Sequence, residues 1–113
     1  MMKFFLLLIL AMSSFCSCEN KKALPIPADQ CDLISYSIHV TPIISNHCAI
    51  TSCHVAGFPP GDFTTYEGVH AQIENGFFQL KVLEQKSMPP FDSLNEGELE
   101  TLQCWVDQGA KNN

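Results

Sequence analysis

The segment His47-Cys48-Ala49-Ile50-Thr51-Ser52-Cys53-His54 gathers the residues of this chain best suited to chemistry. Two thiols with an imidazole directly after the second are what covalent haem attachment needs. Each Cys adds to one vinyl group, and the adjoining His is thereby delivered to the iron as proximal ligand. The usual spacing leaves two residues between the thiols. Here four intervene, so part of the loop must bulge outward if both sulfurs are to reach one porphyrin. The same residues admit two other chemistries. Cys48 and Cys53 can close a local disulfide in an oxidising compartment, with His54 a surface residue. His47, Cys48, Cys53 and His54 can instead offer zinc two sulfurs and two nitrogens, although neighbours on one short loop close a tetrahedron poorly.

The elements that must position this segment announce themselves by their ends. Thr41-Pro42 reads as a helix start, Thr as N-cap and Pro at the first helical position, where its missing N–H costs nothing. That helix stacks Ile43 with His47 and Ile44 with Cys48. A second helix is expected from Thr64, with Glu67 completing a capping box, to Asn75-Gly76; Tyr66, Val69 and Ile73 fall on one stripe. In the third, Asn95 is the cap and Glu98 the box residue, while Leu94 and Leu99 stand at the places of a hydrophobic staple. Leu99, Leu102 and Val106 form its apolar face, Trp105 lies beside them, and Gly109 is the stop. No alternating strand pattern lies between, and residues 57–61 and 77–90 read as loops. The expected fold is all-α, with three or more helices and long loops, and long loops need something to wrap.

The N-terminus has a different character. Lys3 followed by the apolar run 4–12, too short to span a bilayer, reads as a signal segment over residues 1–17. Its end, Phe15-Cys16-Ser17-Cys18, resembles a bacterial lipoprotein processing site, with Phe15 and Cys16 where that family usually has Leu and a small residue. The resemblance makes Cys18 the expected lipid-bearing N-terminus, residues 18–30 a tether containing Pro25 and Pro27, and residues 31–113 the domain. Export and membrane anchoring through lipid follow as expectations; several acyl chains at ~0.8 kcal/mol per buried CH₂ hold durably, one does not. The remaining domain, of about 90 residues, buries only ~60–65% of its unfolded surface. Six Cys suit such a thin core. Six Lys and no Arg stand against twelve Asp plus Glu, a net charge of −6. Phosphate binding needs clustered cations, so no nucleic-acid partner is expected. The acidity describes a solvated surface or one steering toward a basic redox partner.

From Ile34 to Ala110 the chain resembles the small cytochrome c domains of bacterial lipoproteins and larger exported redox proteins. The resemblance runs through Thr41-Pro42-Ile43-Ile44, the Cys-Cys-His site, Gly61-Asp62-Phe63-Thr64-Thr65-Tyr66, Met88-Pro89-Pro90, Leu94 and Trp105-Val106-Asp107-Gln108-Gly109-Ala110. It implies one covalent haem c held through Cys48 and Cys53, with His54 as proximal and Met88 as distal iron ligand. A thioether is a soft, neutral donor, and His/Met ligation raises the potential. Otherwise Met88 is a flexible gap-filler. His70 is the competing distal donor, and His39 and His47 are weaker ones. By analogy with related cytochromes, the carbonyl of Pro59 or Pro60 would take the second N–H of His54. Phe58, Phe63, Tyr66, Phe77, Phe78, Phe91 and Trp105 would supply apolar walls. If haem takes Cys48 and Cys53, Cys31 and Cys104 are left to pair as a structural disulfide. The implied function is electron transfer between a redox donor and an acceptor, not catalysis. A haem-free interaction lipoprotein with disulfides Cys48–Cys53 and Cys31–Cys104 is the alternative.

Overall fold

The chain joins the fold earlier than its tether-like sequence suggests. The computed structural model describes residues 25–113; the expected signal segment, Cys18 and the first part of the tether lie outside the described residues. The rest of the tether is docked. Ile26 packs against the core, its N–H donates to Glu100 Oε2 at 3.0 Å, and Ala28–Cys31 forms a short helix, α1. Residues 26–31 are therefore part of the folded unit.

All regular structure among the described residues is helical, with no strand. Thr41 is not the cap that the sequence predicts, because the chain is already helical before it. A π-helical segment, Tyr36–Val40, runs straight into α2, Thr41–His47. The Thr41 hydroxyl instead donates to the Tyr36 carbonyl at 2.9 Å. Pro42, lacking an N–H, stands where the wide register gives way to the α register. Helix α3, Tyr66–Glu74, starts one residue later than expected. Asp62 Oδ1 captures both the N–H (2.9 Å) and the hydroxyl (2.5 Å) of Thr64 in a local turn. The cap passes to Thr65, whose Oγ1 accepts from the Gly68 N–H at 3.2 Å.

Residues 77–90 were expected as a loop, but Gln79–Glu84 is a π-helical segment with Val82 buried on it. The helix-breaking signal belongs only to the end of that stretch, at Met88-Pro89-Pro90, where the Met88–Pro89 peptide is cis. Helix α4, Glu96–Asp107, has the reciprocal capping box of Asn95 and Glu98. It ends in a Schellman arrangement: Gly109 at φ +88°, Ala110 N–H to the Trp105 carbonyl at 2.9 Å, and Gly109 N–H to that of Val106 at 2.9 Å.

Helix α4 is the centre of the core and packs on both π-helical segments and α1. Trp105, Leu102, Ile44, Val40 and Val69 are its fully buried side chains, worth about 1.5–3 kcal/mol each for a Val, Leu or Ile removed from water. Trp105 Nε1 donates to the Lys111 carbonyl at 2.8 Å, which satisfies the one polar atom that its burial would orphan. Tyr36 packs against Trp105 at 5.2 Å between ring centroids and edge-on to Tyr66 at 5.1 Å. The Tyr66 hydroxyl donates to the Ala110 carbonyl at 2.8 Å. A Cys31–Cys104 disulfide, Cα atoms 5.1 Å apart, ties the start of the domain to α4.

Candidate functional site

Helix α2 ends at His47 and delivers Cys48 to the start of a long irregular loop, residues 48–65. The loop closes on itself at once. Cys53 N–H donates to the Ile50 carbonyl at 2.9 Å, and His54 N–H reaches back to the Cys48 carbonyl at 3.0 Å. Ile50, Thr51 and Ser52 are exposed, and Ser52 takes a left-handed φ of +69°. The extra length between the thiols thus turns outward, while Cys48 and Cys53 stay on the wall of one cavity of about 260 Å³ that His54 and Met88 also line. A second cavity of about 370 Å³ shares His54, Pro60, Phe63, Val82 and Met88. The larger volume falls within the range of small-molecule and cofactor sites, about 300–1,000 Å³, and the smaller lies just below it. All four residues singled out in the sequence come together here.

Both thiols are unpaired, Cys48 buried and Cys53 half-buried. Burial, reinforced by the neighbouring Cys53, pushes the Cys48 thiol up to about 11. His54 is held more firmly than either. Its Nδ1 lies 3.1 Å from the Gly61 carbonyl. A carbonyl only accepts, so Nδ1 carries a proton, and in the neutral ring the lone pair is on Nε2. The expected acceptor, Pro59 or Pro60, is therefore replaced by Gly61, because the loop turns through Gly61 (φ +134°) and aims that carbonyl back at the ring. Phe63 stacks on the imidazole, 4.0 Å between centroids and 11° between planes, and Phe58 meets it edge-on at 5.3 Å. Phe63 N–H donates to the His54 carbonyl at 2.9 Å. Ring plane, tautomer and backbone are all set from one short stretch.

Met88 is reached by a different route. The N–H groups of Ser87 and Met88 both donate to the Lys81 carbonyl, at 2.9 and 3.2 Å, anchoring the segment to the middle of Gln79–Glu84. Met88 remains 41% exposed, so its thioether stands at the cavity mouth rather than inside the core. Phe58, Phe63, Phe77, Phe78 and Phe91 line one or both cavities, whereas Tyr66 and Trp105 do not. Those two are turned into the core, where Tyr36 and the Ala110 and Lys111 carbonyls hold them.

The other histidines are engaged elsewhere. His70 lies beside Tyr66 and pairs with Glu74 at 3.7 Å, and it lines neither cavity. His39 Nδ1 accepts from the Ser35 N–H at 3.0 Å. His47 has Nδ1 2.7 Å from Asp92 Oδ2 and Nε2 3.0 Å from Glu98 Oε1. With both nitrogens given to carboxylates, His47 has no lone pair for a metal, and among the described residues no group of His, Cys, Asp and Glu is arranged to hold one. The sequence reading missed Gly61, Asp92 and Glu98 as partners. Only Gly61 carried a local signal, as part of a Pro-Pro-Gly-Asp turn. No helix among the described residues is long and apolar enough to cross a membrane.

Neither a family model, nor a curated protein, nor a solved structure matches this chain.

Proposed function

We propose that the chain is a small c-type cytochrome domain that carries one electron on one haem. Cys48 and Cys53 would hold the haem as thioethers, and His54 and Met88 would be its axial ligands. What carries the reading is that these four side chains line a single apolar cavity. The donor set suits the group. In its neutral form His54 offers an Nε2 lone pair on a ring whose orientation is locked by Gly61 and Phe63. The turn that exposes Ile50 and Thr51 would accommodate the wide thiol spacing.

When bound, a haem c supplies a one-electron couple tuned by its axial donors and surroundings. The chain's own residues do the rest. The Gly61 carbonyl holds the Nδ1 proton in place, the buried Phe63 and Phe78 form apolar wall, and Lys81 anchors the segment that presents Met88. With His54 and Met88 both holding the group, electron transfer would be the activity, and it is the one proposed. Export, a lipid anchor at Cys18 and redox partners met on the membrane belong to the same proposal. They are supported by the N-terminal pattern and the acidic balance of the chain.

The test is material purified from the native host. Expected are a mass increment of one haem that survives denaturation and sharp ferrous bands in the reduced-minus-oxidised spectrum. Met88→Ala should then lower the reduction potential and admit carbon monoxide or cyanide. Iron-free protein, or a porphyrin extracted by acid acetone, would overturn the proposal and return the haem-free interaction lipoprotein.

A further inference from the structure

We infer that His47 is a proton-controlled clasp, holding the segment that follows Met88 against α2 and α4. Three separate stretches meet at its ring: His47 ends α2, Asp92 lies beyond Met88-Pro89-Pro90, and Glu98 is in the first turn of α4. They are 45 and 51 residues from His47 in the chain. Each carboxylate oxygen can only accept, so both ring nitrogens donate and the clasped ring is an imidazolium with two charge-assisted bonds. The bond to His47 is the one hydrogen bond that residues 89–93 make to any other described residue. Pro89 and Pro90 have no N–H to give, and Phe91 is almost wholly exposed. Nothing else polar ties this stretch down.

The two carboxylates are not equivalent. Glu98 is partly covered, and its other oxygen takes the Asn95 N–H at 2.9 Å in the capping box. Asp92 is two-thirds exposed and has no second partner among the described residues. A neutral imidazole has one N–H, so it can serve only one of them. The proton should stay on Nε2, with the fixed Glu98. Nδ1 then turns a lone pair toward Asp92, and residues 89–93 are released beside Met88 at the cavity mouth.

Burial by itself would lower the His47 pKa, but the hydrogen bonds and charges of Asp92 and Glu98 outweigh it and raise the ring above the usual imidazole value. Asp92 from the loop and Glu98 from α4 are the charged groups facing it. The Cys48 thiol on the same cavity wall stays neutral throughout this range. The clasp is therefore fully closed below pH ~6.5 and opens as pH rises through the raised value. This inference concerns the chain's own residues and does not depend on what the cavity holds.

The experiment is hydrogen exchange at the Ser87 and Met88 amides as a function of pH, corrected for intrinsic exchange, beside an NMR titration of the His47 ring. In the wild-type chain, protection should fall roughly three- to tenfold across the His47 midpoint, the loss of one charge-assisted bond at a partly exposed site. That step should vanish in His47→Gln and in Asp92→Asn, and Asp92→Asn should move the His47 midpoint down. Protection equal on both sides of the midpoint, or a step that survives either substitution, would overturn the clasp. Asp92 is exposed enough for its variant to fold should His47→Gln fail to. Haem content enters none of these readouts, so the clasp and the electron-carrier proposal can fail separately.

Discussion

Replacing Gly68 by Ala adds one methyl group where the first turn of α3 crosses the stretch that holds His54. Gly68 has no left-handed φ, so backbone conformation does not demand glycine there. On helix propensity alone, Ala would stabilise by up to about 1 kcal/mol. Space decides otherwise. A Cβ built on Gly68 lies 1.6 Å from the Asp62 carbonyl oxygen, and ordinary contact begins at 3.4 Å. The obstacle is backbone, and it cannot swing aside as a side chain would. Either α3 lifts or residues 61–63 shift, and overpacking of this kind costs about 1–3 kcal/mol. With a backbone clash this close the cost belongs at the upper end, about 3 kcal/mol, so net of the propensity gain the loss should be about 2 kcal/mol, or a Tm roughly 8–16 °C lower for a domain of this size. Gly61 adjoins Asp62, so the strain should also reach the bond from His54 Nδ1 to the Gly61 carbonyl and speed exchange of that imidazole proton. Thermal unfolding followed by circular dichroism, with NMR of the His54 ring, measures both effects. A variant as stable as wild type or more so would refute the reasoning, because it would mean that the close approach of Gly68 to Asp62 does not hold the two stretches together.

Asn95→Ala removes the N-cap of α4 and one half of its capping box; urea unfolding should show a loss of about 1 kcal/mol. Replacing both Cys31 and Cys104 by Ser opens a bridge between residues 73 apart; equilibrium unfolding should show a loss of up to about 4 kcal/mol on the chain-entropy model, with no effect on Cys48 or Cys53. Leu102→Ala cuts a wholly buried side chain out of α4 and should cost about 2–5 kcal/mol in the same measurement. In protein whose thiols remain free, alkylation of Cys48 followed by peptide mass should be slow near neutrality. It should quicken about tenfold per pH unit up to about pH 11, since burial keeps that thiol protonated.

The parts legible in the sequence were those set by near neighbours. The box of Asn95 and Glu98, the stop at Gly109 and the end of α3 at Gly76 each depend on a few consecutive residues satisfying helix-terminal groups. The adjacency of Cys53 and His54, and the presence of Met88 before two prolines, were likewise open to inspection. Local reasoning misplaced the start of α3 because Thr64 and Thr65 are equally good caps, and only the turn at Asp62 claims one of them. It missed the helix at Gln79–Glu84 because a Pro-Pro signal at its far end coloured the whole stretch.

What the sequence by itself determined is therefore the helical character of the described residues and which side chains are candidates for chemistry. Both follow from residue type and short spacing. Tertiary structure alone decided that the Gly61 carbonyl accepts from His54 Nδ1, that Asp92 and Glu98 claim His47, and that Tyr66 and Trp105 belong to the core rather than the cavity. The physical reason is that each of these outcomes is a choice among many chemically equivalent partners. A carbonyl, a carboxylate or an aromatic face is available at a dozen places along the chain, and only closure of the fold around α4 brings one of them within hydrogen-bonding or van der Waals reach.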